Sequence, residues 1–428
     1  MDARRMTLAG FFGLLGQVFN PVFLALLLFF LSPMWGMISD LTTIAHPYYL
    51  VLIAIAIYAG ILFFGTNHIY FPIKVSLSNV DVAFILLVLI LVTFSLFLSL
   101  SDLNTLLPIM IGRICAPYFF GRLLVNGQIK QFIGYVLSLS LLLNIALVLL
   151  ELFYAPYSEN ARSFLFSKYV VYQTVGAFAG YLLVATSVIE LSNVFYSRLL
   201  RIINGCAIVS SVFVMVHMSA RGMLTASLLV IFYVCLLGNI SRRYLTLLVL
   251  ITCALFISFI TLPQSKFEHF ENLAKFVFPF IQTTTTVSNK SLEIRSSYID
   301  DTIREAKENP IWGVGPGNFG ANEGQLNKKF ASPHSTFLQA ITELGLVGFT
   351  VFLIFNISLG VMCHRSISSQ RNDLNSFPAN KVVAAMWAFA LVQDQFSGNY
   401  FNSIQYFFLS ALLVSASNAV QGCRSRTT

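Results

Sequence analysis

The chain has 428 residues and a formal net charge of +8, yet only 10% of its residues are charged and 57% are hydrophobic. A soluble globular domain carries about 25% charged residues, so a chain this poor in charge cannot cover its own surface in water. That excludes a soluble enzyme, and the basic balance reads as membrane topology with no nucleic-acid partner.

The apolar stretches run to about 20 residues, the length of a membrane-spanning helix and twice that of a barrel strand. The fold class expected is therefore an all-α integral membrane protein. Its six cysteines (Cys115, Cys206, Cys235, Cys253, Cys363, Cys423) fall at no metal or disulfide spacing and read as packing residues.

The N-terminal MDARRMTLAGFF has no small-residue cleavage signature after its first apolar run, which reads as a retained span. Twelve spans are expected, at about 8–31, 47–65, 82–100, 104–122, 131–151, 169–189, 201–218, 221–238, 244–262, 336–362, 380–398 and 401–420. The chain thus divides into nine spans over 1–262, a large loop over 263–335, and three spans with a C-terminal tail over 336–428. No internal repeat is evident, which disfavours transporters built from duplicated halves.

With the N-terminus in the cytoplasm, the cytoplasmic segments carry Arg4, Arg5, Lys74, Arg122, Lys130, Arg198, Arg201, Arg242, Arg243, Arg365, Arg371, Lys381, Arg424 and Arg426. The short loops opposite hold only Arg162, Lys168 and Arg221. The positive-inside rule asks for this asymmetry, and it puts the large loop outside.

Ionisable groups within spans are costly, so their positions carry information. Arg113 lies near the middle of the fourth span, where it either pairs inside the bundle or faces a wet cavity. Asp394, flanked by Gln393 and Gln395 near the outer end of the eleventh, lines a cavity or marks the membrane boundary. Arg162, in the short loop between spans five and six, is an interfacial anchor or a contact for an anionic substrate. His217 and Arg221 are four residues apart and share a face if their helix continues; Gly222 would allow a tight turn there.

The large loop begins with QSKFEHFENLAKFVFPFIQTTTT, in which Phe267, Phe270, Ala274 and Val277 recur at the spacing of an amphipathic surface helix. The next segment, SLEIRSSYIDDTIREAKENP, reads as a helix stopped by Pro310, with Leu292, Ile299, Ile303 and Ala306 as its apolar stripe. Arg295 falls on that stripe, and a guanidinium on a packed face needs an anion, either a carboxylate or a substrate phosphate. IWGVGPGNFG follows, a glycine turn containing Asn318 that lacks the preceding strand of a dinucleotide site. Ser332 then reads as an N-cap, with Pro333 at the first helical position and His334 in the first turn. There the helix N-terminus would favour a neutral imidazole suited to act as a base.

Ala220-Arg221-Gly222, the Arg295 helix, NPIWGVGPGNFG and HSTFLQAITELGLVGF together resemble the O-antigen polymerase and O-antigen ligase superfamily of bacterial membrane glycosyltransferases. The resemblance covers about Val212 to Phe355 at motif level. It implies an inner-membrane enzyme with both termini cytoplasmic and its site periplasmic. The implied reaction is an inverting, metal-independent transfer from an undecaprenyl-diphosphate-linked oligosaccharide, with no cofactor. Carried over by position, Arg221 and Arg295 would clamp the donor diphosphate and His334 would activate or orient the acceptor hydroxyl.

Arg113, Arg162, His217, Asn318 and Asp394 remain further candidates for substrate contact. The family often has His-Asn where this chain has His334-Ser335. The form of the glycine turn and the aromatic, amide-rich stretch Gln393–Phe408 favour a polymerase, with a chain-length regulator as possible partner. A ligase acting on lipid A core is the alternative, and a flippase the more distant one.

Overall fold

A computed structural model describes residues 22, 26, 77–98, 103–124, 126–154, 172–192, 198–218, 220–237, 242–260, 290–319, 333–369, 378–397 and 403–424. Among them the architecture is all helical: α1 (Asn79–Phe97), α2 (Leu103–Met110), a π turn (Ile111–Cys115), α3 (Ala116–Leu123), α4 (Asn126–Tyr154), α5 (Tyr172–Leu191), α6 (Arg198–His217), α7 (Arg221–Leu237), α8 (Arg242–Ile260), α9 (Lys290–Glu308), α10 (Thr336–Ser368), α11 (Ala379–Ser397) and α12 (Ile404–Arg424).

Every expected span from the third to the twelfth coincides with a helix. Five segments are by themselves long and apolar enough to cross a membrane: Asn79–Phe97, Leu106–Leu123, Gln128–Leu149, Arg198–His217 and Thr336–Ser368. The chain is an integral membrane protein. Of the first two expected spans only Val22 and Leu26 are described, both buried in the core. The expected amphipathic helix over 264–278 lies outside the described residues.

α5 sits at the centre. From Val175 to Ile189 every residue is buried, as a helix that is apolar all round must be. α1, α4 and α8 instead turn Leu89, Leu142 and Phe256 outward, which costs nothing where the surroundings are hydrocarbon.

The fourth expected span is one continuous rod made of α2, the π turn and α3. Pro117 has no N–H to close on the carbonyl four residues back, and the Ala116 N–H closes on the Ile111 carbonyl five residues back. The π turn so formed touches α12 and carries Arg113, which is half-buried.

One ion pair ties α1, α3 and α12 together at the end away from the large loop. Arg122 Nε lies 2.8 Å from Asp81 Oδ1 and its Nη2 3.0 Å from Oδ2, while Nη1 donates to Ser415 Oγ at 3.1 Å. Tyr118 donates to the same carboxylate at 2.9 Å, and the Ser78 N–H at 2.8 Å completes the capping box of α1. Removing one partner of such a pair strands the other in low dielectric. Asp81→Ala should therefore cost roughly 3–5 kcal/mol, with part of the loss restored in the Asp81→Ala/Arg122→Ala double variant. Thermal unfolding in detergent measures both; an unchanged midpoint for the single variant would show the pair to be dispensable.

Candidate active site at the loop end of the bundle

The glycine turn is threaded through a break in α10. Gly345 has φ 58° and ψ −165°, so the helix stops there and resumes. Leu346 and Val347 N–H groups, which would have closed on Thr342 and Glu343, donate instead to the carbonyls of Pro310 (2.9 Å) and Ile311 (3.2 Å). The Thr342 and Glu343 carbonyls accept from the N–H groups of Val314 (3.0 Å) and Gly315 (2.9 Å). The turn thereby satisfies all four backbone groups that the break frees.

Close approach demands glycine on both sides. A Cβ on Gly313 (φ 71°) would fall 2.5 Å from the Glu343 carbonyl, and one on Gly345 would collide with Gly313 N and the Ile311 carbonyl. Asn318 fastens the turn to α1, donating to the carbonyls of Leu98 (3.0 Å) and Val314 (2.8 Å). Glu343, fully buried, accepts from Gly317 N–H and Gln339 Nε2, both at 3.0 Å. Trp312 stays exposed and meets Phe94 edge-on, as befits a membrane-interface tryptophan.

His334 departs from its expected place. α10 begins at Thr336, its N-cap is Ser335, and His334 lies before the cap with φ 59°. Ser335 wins the capping position because Gln395 of α11 holds it. Its hydroxyl donates to Gln395 Oε1 at 2.9 Å and accepts from Leu338 N–H at 3.4 Å, while Gln395 Nε2 donates to Thr336 Oγ1 at 2.7 Å. His334 is exposed, and its ring centroid lies 5.8 Å from that of Tyr298 on α9.

α9 also differs from expectation. Of its expected apolar stripe, Ile299 and Ile303 turn outward, 45% and 47% exposed, and Ala306 is half-buried, while Thr302 and Glu305 are buried. Ile299 and Ile303 join exposed Ile311, Trp312 and Leu346 at this end of the bundle. Arg295 lies on α9 one helical turn before Tyr298 and two before Thr302.

Arg221 is the first residue of α7 and is half-buried. The helix does not continue from His217, which ends α6, buried and stacked at 3.9 Å on Phe213. Gly222 belongs to α7, where a Cβ would meet Phe396 of α11 at 3.1 Å. The loop end of α11 therefore lies between Arg221, through Gly222 and Phe396, and His334, through Gln395 and Ser335, while α9 packs on α10 and reaches His334 through Tyr298. Asp394 is buried one residue away; Ser403 hydrogen-bonds to it, and Oδ2 has no hydrogen-bond partner. Arg113 stands apart, ten residues or about 15 Å along its rod from Leu103. Arg162 lies outside the described residues.

Sequence reasoning named Gln395 only as a neighbour of Asp394 and part of an amide-rich stretch, and missed Glu343 and Tyr298. Glu343 carried a readable signal, being a lone acid within an apolar span.

Residues 205–353 match the family model described as O-antigen ligase. The match takes in His217, Arg221, Arg295, Asn318 and His334 and leaves out Arg113, Arg162 and Asp394. No curated protein matches the chain.

Proposed function

We propose that this membrane protein, whose residues 205–353 match the family model described as O-antigen ligase, is an O-antigen polymerase. It takes a glycan from an undecaprenyl-diphosphate-linked donor and passes it to a hydroxyl of another lipid-linked repeat unit, at the periplasmic face of the inner membrane. The observation that carries the reading is that Arg221 and His334 flank the loop end of α11, with Tyr298 of the Arg295 helix beside His334.

The chemistry suits those residue types. The acceptor oxygen attacks the anomeric carbon of the donor sugar from the face opposite the diphosphate, inverting the centre. The sugar–phosphate bond breaks and its electron pair leaves with the lipid diphosphate. Arg221 and Arg295 hold that growing charge, because guanidinium forks match phosphate oxygens and keep their charge at any relevant pH. His334 takes the acceptor proton. Among the described residues no three His, Cys, Asp or Glu side chains gather, and the proposed chemistry assigns the phosphate charge to arginines.

Tyr406, Phe407 and Phe408, expected from the sequence to stack on sugars, are instead buried in the core against Phe355, Phe84 and Phe132, so the polymerase reading rests on the form of the glycine turn. The description of the matching family model favours the second reading, a ligase that delivers the glycan to lipid A core. A deletion strain separates the two. Lipopolysaccharide carrying a single repeat unit is the result expected of a polymerase; core bearing no repeat would establish the ligase, and unchanged long chains would remove both.

A further inference from the structure

A groove of about 770 Å³ opens on the outer surface of the bundle, with α6 as its floor and α4 and α8 as its walls. It runs along α6 from Arg201 through Gly205 and Cys206 to Phe213, bounded by Val148 and Leu250. Twelve residues of helix cover about 18 Å, slightly more than one leaflet of a bilayer whose hydrocarbon is about 30 Å thick. Its volume lies within the ~300–1,000 Å³ of sites that enclose a ligand.

The two ends differ in chemistry. The lining is mostly apolar, whereas Arg201 and Glu190 stand at one mouth. Arg201 is exposed, and so is Arg198 one turn away at the start of α6. Glu190 accepts from Asn204 Nδ2 at 3.1 Å, so an amide already engages the acid at this mouth. Small residues keep the floor low: a Cβ on Gly205 would meet no atom within 4 Å. This mouth lies at the end of α6 that the charge pattern of the loops assigns to the cytoplasm.

We propose that the groove binds one anionic glycerophospholipid, an acyl chain lying along α6 and the headgroup phosphate at Arg201 and Arg198. Basic pockets between helices at the cytoplasmic level recognise anionic headgroups, each arginine near the surface contributing about fivefold in affinity. Two arginines against one carboxylate leave an excess of positive charge at this mouth, which sets the preference for an anionic headgroup. The site is separate from the loop end of the bundle and does not depend on the glycosyl-transfer reading.

Full-length protein in detergent, titrated with phosphatidylglycerol or phosphatidylcholine of identical acyl chains and read by native mass spectrometry, tests it. One phosphatidylglycerol should be retained well below the concentration at which phosphatidylcholine binds. Arg201→Ala should lower that preference roughly fivefold. Gly205→Phe should fill the floor and abolish retention of both lipids, with Gly205→Ala, which leaves the groove open, retaining phosphatidylglycerol as the wild type does. Equal retention of the two lipids by the wild type would reduce the groove to ordinary lipid contact and overturn the proposal, as would undiminished retention in folded Gly205→Phe.

Discussion

His334→Ala is expected to leave the protein folded and inserted while lowering glycan-chain formation by ~10²–10⁴-fold, the usual contribution of a positioned proton acceptor. Because the histidine has a left-handed backbone, alanine changes two things at once: it removes the imidazole and strains the chain. Asparagine tolerates that backbone region far better, so His334→Asn removes the imidazole while sparing the fold. The two variants should fail alike.

Arg221→Ala and Arg295→Ala should fail with them. Arg221→Lys should recover only part of the activity, since an ammonium keeps the charge but loses the bidentate fork. Turnover of purified protein on a lipid-diphosphate glycan, together with chain-length ladders from cells, gives the readout. Normal ladders from His334→Asn would take the imidazole out of the mechanism and leave its backbone position as the functional feature.

The second large effect belongs to Gly345. Gly345→Ala places a methyl group against Gly313 N and the Ile311 carbonyl, on a backbone whose φ is positive. Overpacking and left-handed strain together amount to roughly 2–5 kcal/mol. The expected result is a lower melting temperature in detergent and lost glycan synthesis. Gly360→Ala, in the same helix, is the internal control. A Cβ there meets nothing within 4 Å, so the change should be neutral or stabilise by up to about 1 kcal/mol. If Gly345→Ala melts with the wild type, the threaded turn contributes nothing to stability.

Much of the helical framework was legible because each span needs only its own apolar run. α1 begins three residues earlier than its hydropathy suggested, and the reason was itself local: Ser78 and Asp81 form a capping box. α9 stops before Pro310 as its sequence implied. What escaped reading depended on remote partners. Ser335 became the N-cap through Gln395, 60 residues away. The break in α10 is closed by Pro310 and Ile311, which nothing in TELGLVGF announces. Ile299 and Ile303 of α9 were read as facing inward, whereas Thr302 and Glu305 are the residues that α9 buries.

The same distinction governs the site. Arg221, Arg295 and His334 stand out as polar groups at marked positions in an apolar chain, whereas Gln395 holds Ser335 beside His334 and Glu343 holds Gly317 of the turn from elsewhere in the chain. Their signals are an amide among amides and an acid before a glycine, and each acquires meaning only once α10 and α11 are side by side.

The break at Gly345 makes α10 two levers joined by a hinge that cannot swing. Below it, Leu346 to Ser368 is set by the bundle. Above it, Thr336 to Leu344 takes its direction from the inserted turn and from Gln395, and carries His334 at its tip. Depth in the membrane and aim of the imidazole are thus governed by different parts of the chain. A change in the turn between Pro310 and Asn318 bears on the tip through the break at Gly345 and on α1 through Asn318.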